Sequence, residues 1–288
     1  MQNVHFSPPE IAPLFEVNVS TVKRWIDRGL LKADITSGGH RRVSREQLMT
    51  FIQTLPIGAR RSYVLRRLTQ TGRDETEPER AFASYRSWLE KDQERARRLL
   101  ERLVVQRWTM ARIIDDVIAP TLRWIGDEWM AKRMSIYEEH QLSFRIRQHL
   151  LRLDDLLPRT KKQGVAVLAC PAGEQHELPL QMLALVLRQI GWQPEILGIN
   201  IPATEVARAV RHYQSRAIIL SSTYRQAASA SYLTAVESIA RRSRAVLLFG
   251  GAGWPTAVRT STQVRFFVRS AAELSDRVQG LVKGRQSA

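Results

Sequence analysis

The residues that this chain lacks exclude several classes of protein. Cys170 is the one cysteine among 288 residues, so no disulfide can form within the chain, which fits a reducing compartment. No apolar run approaches the roughly 20 residues that are needed to cross a bilayer. The N-terminus has no basic region followed by an apolar one, as a signal peptide would have. We therefore expect a cytoplasmic protein without a membrane partner.

Patterns for common metal and nucleotide chemistry are missing as well. One cysteine and six scattered histidines do not form the closely spaced ligand set of a zinc site. No glycine-rich loop ends in the Lys-Ser or Lys-Thr pair of a phosphate-binding loop. No catalytic domain is recognisable, so the sequence argues against an enzyme.

The charge is strongly positive and unevenly distributed. The net charge is +16, which is typical of proteins with a polyanionic partner. Residues 161–288 carry 16 basic and 7 acidic side chains, a net +9, whereas residues 1–55 carry 7 and 5, a net +2. Surplus arginine can also form a solvated face, so the charge alone does not identify the partner.

The N-terminal segment has the pattern of a small DNA-binding domain. A first helix is predicted after Ser7, with Pro8 in its first turn and Glu10 completing a capping box. A second, basic helix is predicted from an N-cap at Ser20 to a stop at Gly29. Two short helices joined by a tight turn form the helix-turn-helix arrangement.

A basic hairpin is predicted after the second helix. Residues 30–43 have the pattern of two short strands around a Gly-Gly turn, and such a hairpin is placed to contact phosphates or the adjacent minor groove. Residues 4–53 resemble the winged helix-turn-helix of MerR-type regulators, in which the wing Ser37–Val43 is the specific part. This interpretation predicts that seven residues contact a double-stranded DNA operator: Ser20, Thr21, Lys23, Arg24, His40, Arg41 and Arg42. The alternative is a small helical adaptor that does not bind DNA.

The sequence predicts four segments: a DNA-binding domain at 1–55, a linker at 56–80, a helical bundle at 81–160 and an α/β domain at 161–288. The linker contains glycine and proline and a helical piece near residues 62–68. No sustained heptad repeat is present there, so a dimerisation coiled coil is not predicted. In the bundle, apolar residues recur at three- and four-residue spacing. The predicted helices span 81–90, 92–106, 109–129 with a kink or break at Pro120, and 135–156.

Strand and helix patterns alternate in the C-terminal segment. Alternation at this period predicts a parallel, doubly wound sheet with right-handed crossovers. Five strands favour a flavodoxin-like, Rossmann-like order, with Cys170 as a core residue of the first strand. The strands are expected near 165–169, 194–198, 217–221, 245–249 and 264–268, and a last helix near 270–282.

Polar or glycine-rich turns follow three of the predicted strands. In a parallel sheet these turns lie at the carboxyl edge, where open α/β sheets bind ligands. A neutral histidine there can ligate a metal, and a nearby carboxylate can orient its other ring nitrogen. A single histidine in a turn is more often an ordinary loop residue, and the turn by itself leaves that interpretation open. The residues in these turns are Glu174 and His176, Ser221 and Thr223, and Gly250 and Gly251.

Together these turns resemble the cobalamin-binding domain, whose pattern is Asp/Glu-x-His-x-x-Gly, then Ser-x-Leu/Thr, then Gly-Gly. The resemblance implies that His176 is the lower axial cobalt ligand and that Glu174 tunes it. It also implies that the serine, threonine and glycine residues accommodate the nucleotide tail. In the bundle, Trp129 followed nine residues later by Glu139 and His140 resembles the helical cap of cobalamin-binding regulators. In that family these three side chains line the face of cobalamin that carries the adenosyl group.

The order of winged helix, helical cap and cobalamin domain resembles the CarH/LitR class of photoreceptor regulators. The resemblance implies a repressor that binds adenosylcobalamin in the dark, assembles as a homo-tetramer or homo-dimer, and releases DNA when light breaks the cobalt–carbon bond. Two positions depart from the family. Met130 stands where members with a bis-histidine photoproduct have histidine, and Pro179 replaces the motif glycine, which is expected to crowd the cofactor tail.

Two alternative functions stay open. One is a regulator that kept the fold but uses cobalamin weakly and responds to another ligand or to a partner protein. The other is a corrinoid enzyme module that shuttles methyl groups or supports radical chemistry, against which the winged helix argues.

Overall fold

The structure is a computed structural model that describes residues 5–15, 17–36, 38–54, 77–157, 162–224, 229–259, 262 and 264–283. The chain divides into two compact units, Met1–Asp74 and Glu75–Ala288. The helical piece expected near residues 62–68 and most of the expected linker lie outside the described residues.

The first unit is a winged helix-turn-helix, as the sequence predicts. Its three-stranded sheet has the order β1-β3-β2, with both pairings antiparallel. The elements are β1 (His5–Phe6), α1 (Pro8–Ile11), a 3₁₀ turn (Ala12–Phe15), α2 (Val19–Asp27), β2 (Asp34–Ile35), β3 (Arg41–Ser44) and α3 (Arg45–Thr54).

Aromatic rings hold α2 against the core of this unit. The Trp25 ring centroid lies 5.5 Å from that of Phe15 and 5.0 Å from that of Phe51. Aromatic pairs at such distances contribute about 0.5–1.5 kcal/mol beyond their burial. The inner face of α2 is therefore anchored, while Lys23 and Arg24 on its outer faces are exposed.

Local signals at the helix ends are confirmed in one case and wrong in another. The capping box of α1 is confirmed, since the Ser7 hydroxyl and N–H donate to Glu10 at 2.6 and 2.7 Å. The prediction that Ser20 caps α2 is wrong: Asn18, with an extended backbone, occupies the cap position, and the helix begins at Val19. The predicted hairpin is confirmed, but the pairing of β1 with β3 was not expected, because two residues are too few to show a strand pattern.

The second unit begins with a helical bundle. The predicted helices are confirmed within a few residues, and the first begins at Pro78, three residues before the expected start of the bundle. The sequence predicts a kink or break at Pro120. The structure has a π-helical turn just before this residue. Pro120 itself is the second residue of the helical segment that follows this turn without a break. The elements are α4 (Pro78–Lys91), α5 (Gln93–Val105), α6 (Met110–Ile113), the π turn (Ile114–Ile118), α7 (Ala119–Met130) and α8 (Ile136–Leu156).

The α/β domain has a parallel sheet in the order β5-β4-β6-β7-β8, which confirms the flavodoxin-like prediction. Cys170 is buried in β4, as expected. Because all strands run in one direction, the turns after β4, β6 and β7 meet at one edge. The elements are β4 (Gly164–Pro171), α9 (Leu178–Gln189), β5 (Trp192–Ile201), α10 (Ala203–Tyr213), β6 (Ala217–Ser221), α11 (Ala230–Ser243), β7 (Val246–Gly250), β8 (Arg265–Val268) and α12 (Ala271–Lys283).

Polar contacts join the bundle to the α/β domain. The Gln189 side chain at the end of α9 accepts the Met110 N–H at 2.7 Å. Asp115, in the π turn, accepts the N–H groups of Ala271 and Ala272 at 2.8 and 2.9 Å and so caps α12. The bundle therefore packs on the side of the sheet that carries α9 and α12. Within the described ranges, no helix is both long and apolar enough to cross a membrane.

His149 is a buried histidine in the bundle. Its Nδ1 lies 3.0 Å from the Tyr85 hydroxyl. Burial, together with the positive charge of Arg97, lowers the pKa of His149 to about 4. The folded bundle therefore favours the neutral ring.

We expect the stability of the chain to fall between pH 7 and pH 5 because of His149. Its pKa is lower in the folded than in the unfolded state, so the unfolded state takes up the proton first. The stabilisation present above about pH 6.5 is then lost as the pH falls towards 4. The shift corresponds to about 2 kcal/mol between pH 7 and pH 5, which urea unfolding at the two pH values measures. His149→Gln should reduce this difference and the exposed control His212→Gln should retain it. An equal pH dependence in both variants would contradict the assignment.

Candidate functional site

His176 lies in the turn between β4 and α9, at the carboxyl edge of the sheet. Its Nδ1 is 2.5 Å from Glu174 Oε1, and its side chain is 57% exposed. The carboxylate favours a proton on Nδ1, which leaves Nε2 as the nitrogen with a free lone pair. The structure thus brings Glu174 and His176 together as the sequence predicts.

Glu174 is fully buried and accepts six hydrogen bonds. Oε1 accepts the His176 ring and two backbone N–H groups of its own turn, both at 2.9 Å. Oε2 accepts the Ser222 hydroxyl at 3.0 Å and the N–H groups of Thr223 and Tyr224 at 2.6 and 2.7 Å. Burial alone would raise the pKa of Glu174, but hydrogen bonds from Tyr224, His176 and Thr223 lower it to about 2. An ionised carboxylate therefore joins the turn after β4 to the turn after β6.

The glycine turn after β7 packs against the turn after β6, whose Ser222, Thr223 and Tyr224 donate hydrogen bonds to Glu174. A Cβ at Gly250 would lie 2.6 Å from the Val268 carbonyl oxygen. Gly251 has φ +102°, and a Cβ there would overlap the Ser222 carbonyl oxygen. The sequence predicted that these glycines make room for a ligand. The structure shows that the protein's own backbone requires them: a larger residue at Gly250 would push Val268 away, and one at Gly251 would push Ser222 away from Glu174.

The predicted serine and threonine occupy different environments at this edge. Ser221 is buried and aligns with Gly250 across the strand pair β6–β7. Thr223 is exposed, and its backbone N–H donates to Glu174. Ser222, which was not predicted as a site residue, makes the side-chain hydrogen bond to Glu174 instead.

The predicted cap residues lie at the end of α7 and the start of α8. Trp129 and Met130 are 47% and 68% exposed, although large apolar side chains are usually buried. Glu139 accepts the Ser143 hydroxyl at 2.8 Å, and its Oε2 lies 3.3 Å from His140 Nε2. Among the described residues, no hydrogen bond or ion pair joins these cap side chains to His176. Their exposed apolar surface marks a face that a ligand could cover.

One face of α8 leads from the cap residues to the His176 turn. His140, Phe144 and Arg147 follow each other at four- and three-residue spacing and so share a face. Arg147 lies 3.5 Å from Glu177, the residue next to His176. Phe144 is exposed on this face. Phe144 and Arg147 were not predicted as site residues, although their helical spacing from His140 is the signal that would have found them.

The first unit presents the predicted DNA-contacting residues on α2 and on the hairpin. Ser20 is exposed and Thr21 is partly buried in the first turn of α2. Arg41 pairs with Asp27 at the end of α2, at 2.5 Å. This ion pair connects the hairpin to the helix, so the charge of Arg41 already has a partner within the unit.

The tip of the hairpin is closed by a polar contact. The His40 N–H donates to the Thr36 hydroxyl at 3.2 Å, and the His40 side chain is exposed. Arg42 points away from the core and lies 4.0 Å from Glu10, a separation at which an exposed pair contributes little. Arg42 is therefore freer than Arg41 to meet a phosphate.

Three segments of the chain match known domain families. Residues 164–274 match a family described as B12 binding domain, and residues 85–153 match a second family of the same description. Residues 6–56 match a helix-turn-helix domain. The matches fall on the α/β domain, the bundle and the winged helix.

Two transcriptional repressors of Myxococcus xanthus are relatives of this chain. The HTH-type transcriptional repressor CarH is 34% identical over 99 residues, which are 34% of this chain and 33% of the relative. The HTH-type transcriptional repressor CarA is 28% identical over 159 residues, which are 49% of this chain and 54% of the relative. The matches thus span about a third and about half of the relatives' lengths. The chain is homologous to both repressors.

A solved structure shares the fold of a large part of this chain. The monomethylamine corrinoid protein of Methanosarcina barkeri superimposes with a TM-score of 0.52 and 14% sequence identity, covering 71% of this chain and 100% of that chain. At this identity the likeness shows the fold alone. It agrees with the predicted fold class of a helical bundle and a doubly wound sheet.

Replacing Glu174 by glutamine should destabilise the second unit and loosen His176. A glutamine amide nitrogen donates hydrogen bonds, so the donors that face it would lose their acceptor. The lowered pKa of Glu174 corresponds to roughly 3 kcal/mol of stability, which is present above pH 4.5 and disappears as the pH falls towards 2. Urea unfolding at pH 7 measures the destabilisation. Glu177→Gln, which removes the more exposed neighbouring carboxylate, is the control and should change the stability by about 0.5 kcal/mol or less. Equal destabilisation in the two variants would rule out this role for Glu174.

Proposed function

We propose that this chain is a DNA-binding transcriptional repressor whose DNA binding is controlled by adenosylcobalamin and by light. We also propose that it acts as a homo-oligomer, a tetramer or a dimer, and that it is not an enzyme. One observation carries the cofactor assignment. The Nδ1 of His176 is held by a buried, ionised Glu174, which leaves the other ring nitrogen available at the carboxyl edge of the sheet.

The donor set at this edge fits cobalamin. In the part of the chain that the structure describes, no group of three or more His, Cys, Asp or Glu residues could hold a metal ion. His176 offers one ligand nitrogen, which would suit the cobalt of a corrin, because the corrin ring itself would supply most of the metal's ligands. Glu174 would fix the orientation of His176 and increase the basicity of the ligating nitrogen. When bound, cobalamin supplies a cobalt centre and a cobalt–carbon bond that light can break.

The cap side chains would cover the face of the cofactor that carries the adenosyl group. Trp129 offers a large exposed ring, and Glu139 and His140 offer polar groups for the ribose and adenine. The Glu139 carboxylate is already oriented by Ser143, so it is preorganised for a further hydrogen bond. This role follows from the resemblance of the cap and from the exposure of its residues.

Met130 and Pro179 modify the expected behaviour. A thioether is a poor ligand for cobalt(III), so Met130 should not form the bis-histidine photoproduct of other light-sensing members. Pro179 lies in the first turn of α9, where a proline fits the helix. Its ring nevertheless takes the place of the motif glycine, which should weaken binding of the nucleotide tail. Pro179 is therefore the observation that favours a second function, a repressor that uses cobalamin weakly and answers another ligand or a partner protein.

Binding of DNA would use α2 and the hairpin. Lys23 and Arg24 are exposed on α2, whose inner face Trp25 anchors, so their positions are set by the core. Such a helix can enter the major groove while the wing contacts the backbone. Arg42 should contribute more than Arg41 to phosphate binding, because Arg41 is already paired with Asp27.

Replacing His176 by alanine should weaken binding of adenosylcobalamin in the dark by about 10-fold or more. The absorption spectrum should also change from the histidine-ligated form to the form with the cofactor's own base or with water. Desalted mixtures of protein and cofactor, recorded before and after green light, measure both effects. His212→Ala, which removes an exposed histidine of α10, should behave as the unchanged chain. If His176→Ala keeps the spectrum and affinity, His176 is not the ligand.

Replacing Lys23 and Arg24 by alanine should lower the affinity for DNA and make that affinity less sensitive to the salt concentration. Each phosphate that the protein no longer neutralises lowers the slope of log affinity against log salt by about 0.9. Fluorescence anisotropy with a labelled duplex at several salt concentrations measures the slope. Arg208→Ala with Arg241→Ala removes the same charge from arginines that are paired with glutamates and serves as control. The same slope in both double variants would overturn the assignment of α2.

A further inference from the structure

A groove of about 640 Å³ lies at the amino edge of the five-stranded sheet. Its walls are the ends of α10 and α11 and the residues just before β6 and β7. Because the strands are parallel, this edge is opposite to that of His176, roughly 20 Å away along β6 and its flanking residues. Four of the ten residues that line the groove are arginines and none is acidic: Arg211, Arg216, Arg242 and Arg244.

Within the described ranges, three of these arginines form no ion pair with a carboxylate. Arg211, Arg242 and Arg244 are exposed, and no ion pair among the described residues engages them. Other arginines of the same two helices do form ion pairs: Arg208 lies 2.9 Å from Glu205, and Arg241 lies 2.8 Å from Glu237. The unpaired arginines of these helices are thus concentrated at the groove.

Arg216 has a structural role in the wall of the groove. Its guanidinium donates to the carbonyl oxygens of Gln163 and Leu281 at 3.1 and 2.7 Å. It also packs over the Trp192 ring, 5.5 Å from the centroid. Its position is therefore fixed.

The ends of the two helices do not neutralise this charge. α10 and α11 both end at the groove, with Gln214 and Arg244 in the left-handed conformation at φ 50° and 52°. Each helix end carries about half a negative charge, so the two ends together contribute about one against the three guanidinium groups of Arg211, Arg242 and Arg244. The groove therefore keeps a positive potential that attracts anions.

We propose that this groove binds phosphate groups of a DNA backbone. Planar guanidinium groups match phosphate oxygens with paired N–H donors, and the exposed Ser243 hydroxyl and Gln214 amide can add neutral donors. The net +9 of residues 161–288 favours a polyanion over a single phosphate. DNA is the polyanion that the first unit is proposed to bind, and in this respect the inference rests on the proposed function. The groove adds contacts that do not depend on base sequence.

The test compares two triple variants of the full chain. The groove variant is Arg211→Gln, Arg242→Gln and Arg244→Gln. The control variant is Arg208→Gln, Arg241→Gln and Arg277→Gln, which removes three arginines that are each paired with a glutamate. Both variants remove three positive charges, so they differ only in the position from which the charge is removed. Circular dichroism confirms that each is folded, and anisotropy measures affinity for a 40-base-pair duplex without an operator across a range of salt concentrations.

We expect the groove variant to bind the duplex at least about 10-fold more weakly than the control at low salt. Its slope of log affinity against log salt should be smaller by about 0.9 for each phosphate that the groove no longer neutralises. Equal affinity and slope in the two variants would overturn the proposal. Titration with inorganic tripolyphosphate separates the two sources of phosphate. The DNA assignment is wrong if the groove variant loses tight binding of tripolyphosphate, the control variant keeps it, and both bind the duplex equally. In that case the groove binds a free polyphosphate.

The double variant Lys23→Ala with Arg24→Ala separates this proposal from the proposed function. If that variant no longer binds the duplex while the groove variant behaves as its control, the winged helix binds DNA and the groove does not. If the groove variant no longer binds while the α2 variant does, the groove inference stands and the assignment of α2 fails.

Discussion

A buried carboxylate is stable in a protein only where hydrogen-bond donors replace the water that it has given up. Glu174 meets this condition with six hydrogen bonds, three of them from residues 222–224. The His176 ring, the turn after β6 and, through Ser222, the glycine turn after β7 all depend on this one group. The same hydrogen bonds keep the carboxylate ionised, so it can accept a hydrogen bond from His176 Nδ1 and orient the ring. The candidate metal ligand is therefore positioned by the fold before any cofactor binds.

The parallel sheet gives its two edges opposite characters. Strands of one direction collect the turns that carry Glu174, His176 and the glycines at the carboxyl edge. The same strand direction brings the ends of α10 and α11 to the amino edge, where the unpaired arginines gather. The bundle lies along the side of the sheet between these edges, held by Asp115 and Gln189. A site for a cofactor and a surface for a polyanion can thus coexist in one domain without sharing residues.

Local patterns were sufficient where neighbours in sequence decide the outcome. The capping box of Ser7 and Glu10, the apolar spacing of the bundle and the buried runs of the strands all act within a few residues. They predicted the elements and the fold class. Errors occurred where several local choices were equally good: Asn18 and Ser20 are both favourable N-caps, and the structure has Asn18 at the cap position. The π turn before Pro120 was missed because one extra residue in a helical turn barely changes the apolar spacing.

By itself, the sequence determined the order of the domains, the parallel sheet and the turns in which the candidate residues lie. Only the tertiary structure decided which side chains meet. Ser222 and Glu174 are 48 residues apart, and Arg147 and Glu177 lie on different domains of one unit. It also decided that Gly251 faces the Ser222 backbone and that arginines from two helices share one groove. These contacts depend on strand order and helix packing, which place distant segments side by side and leave no mark on the periodicity of either segment.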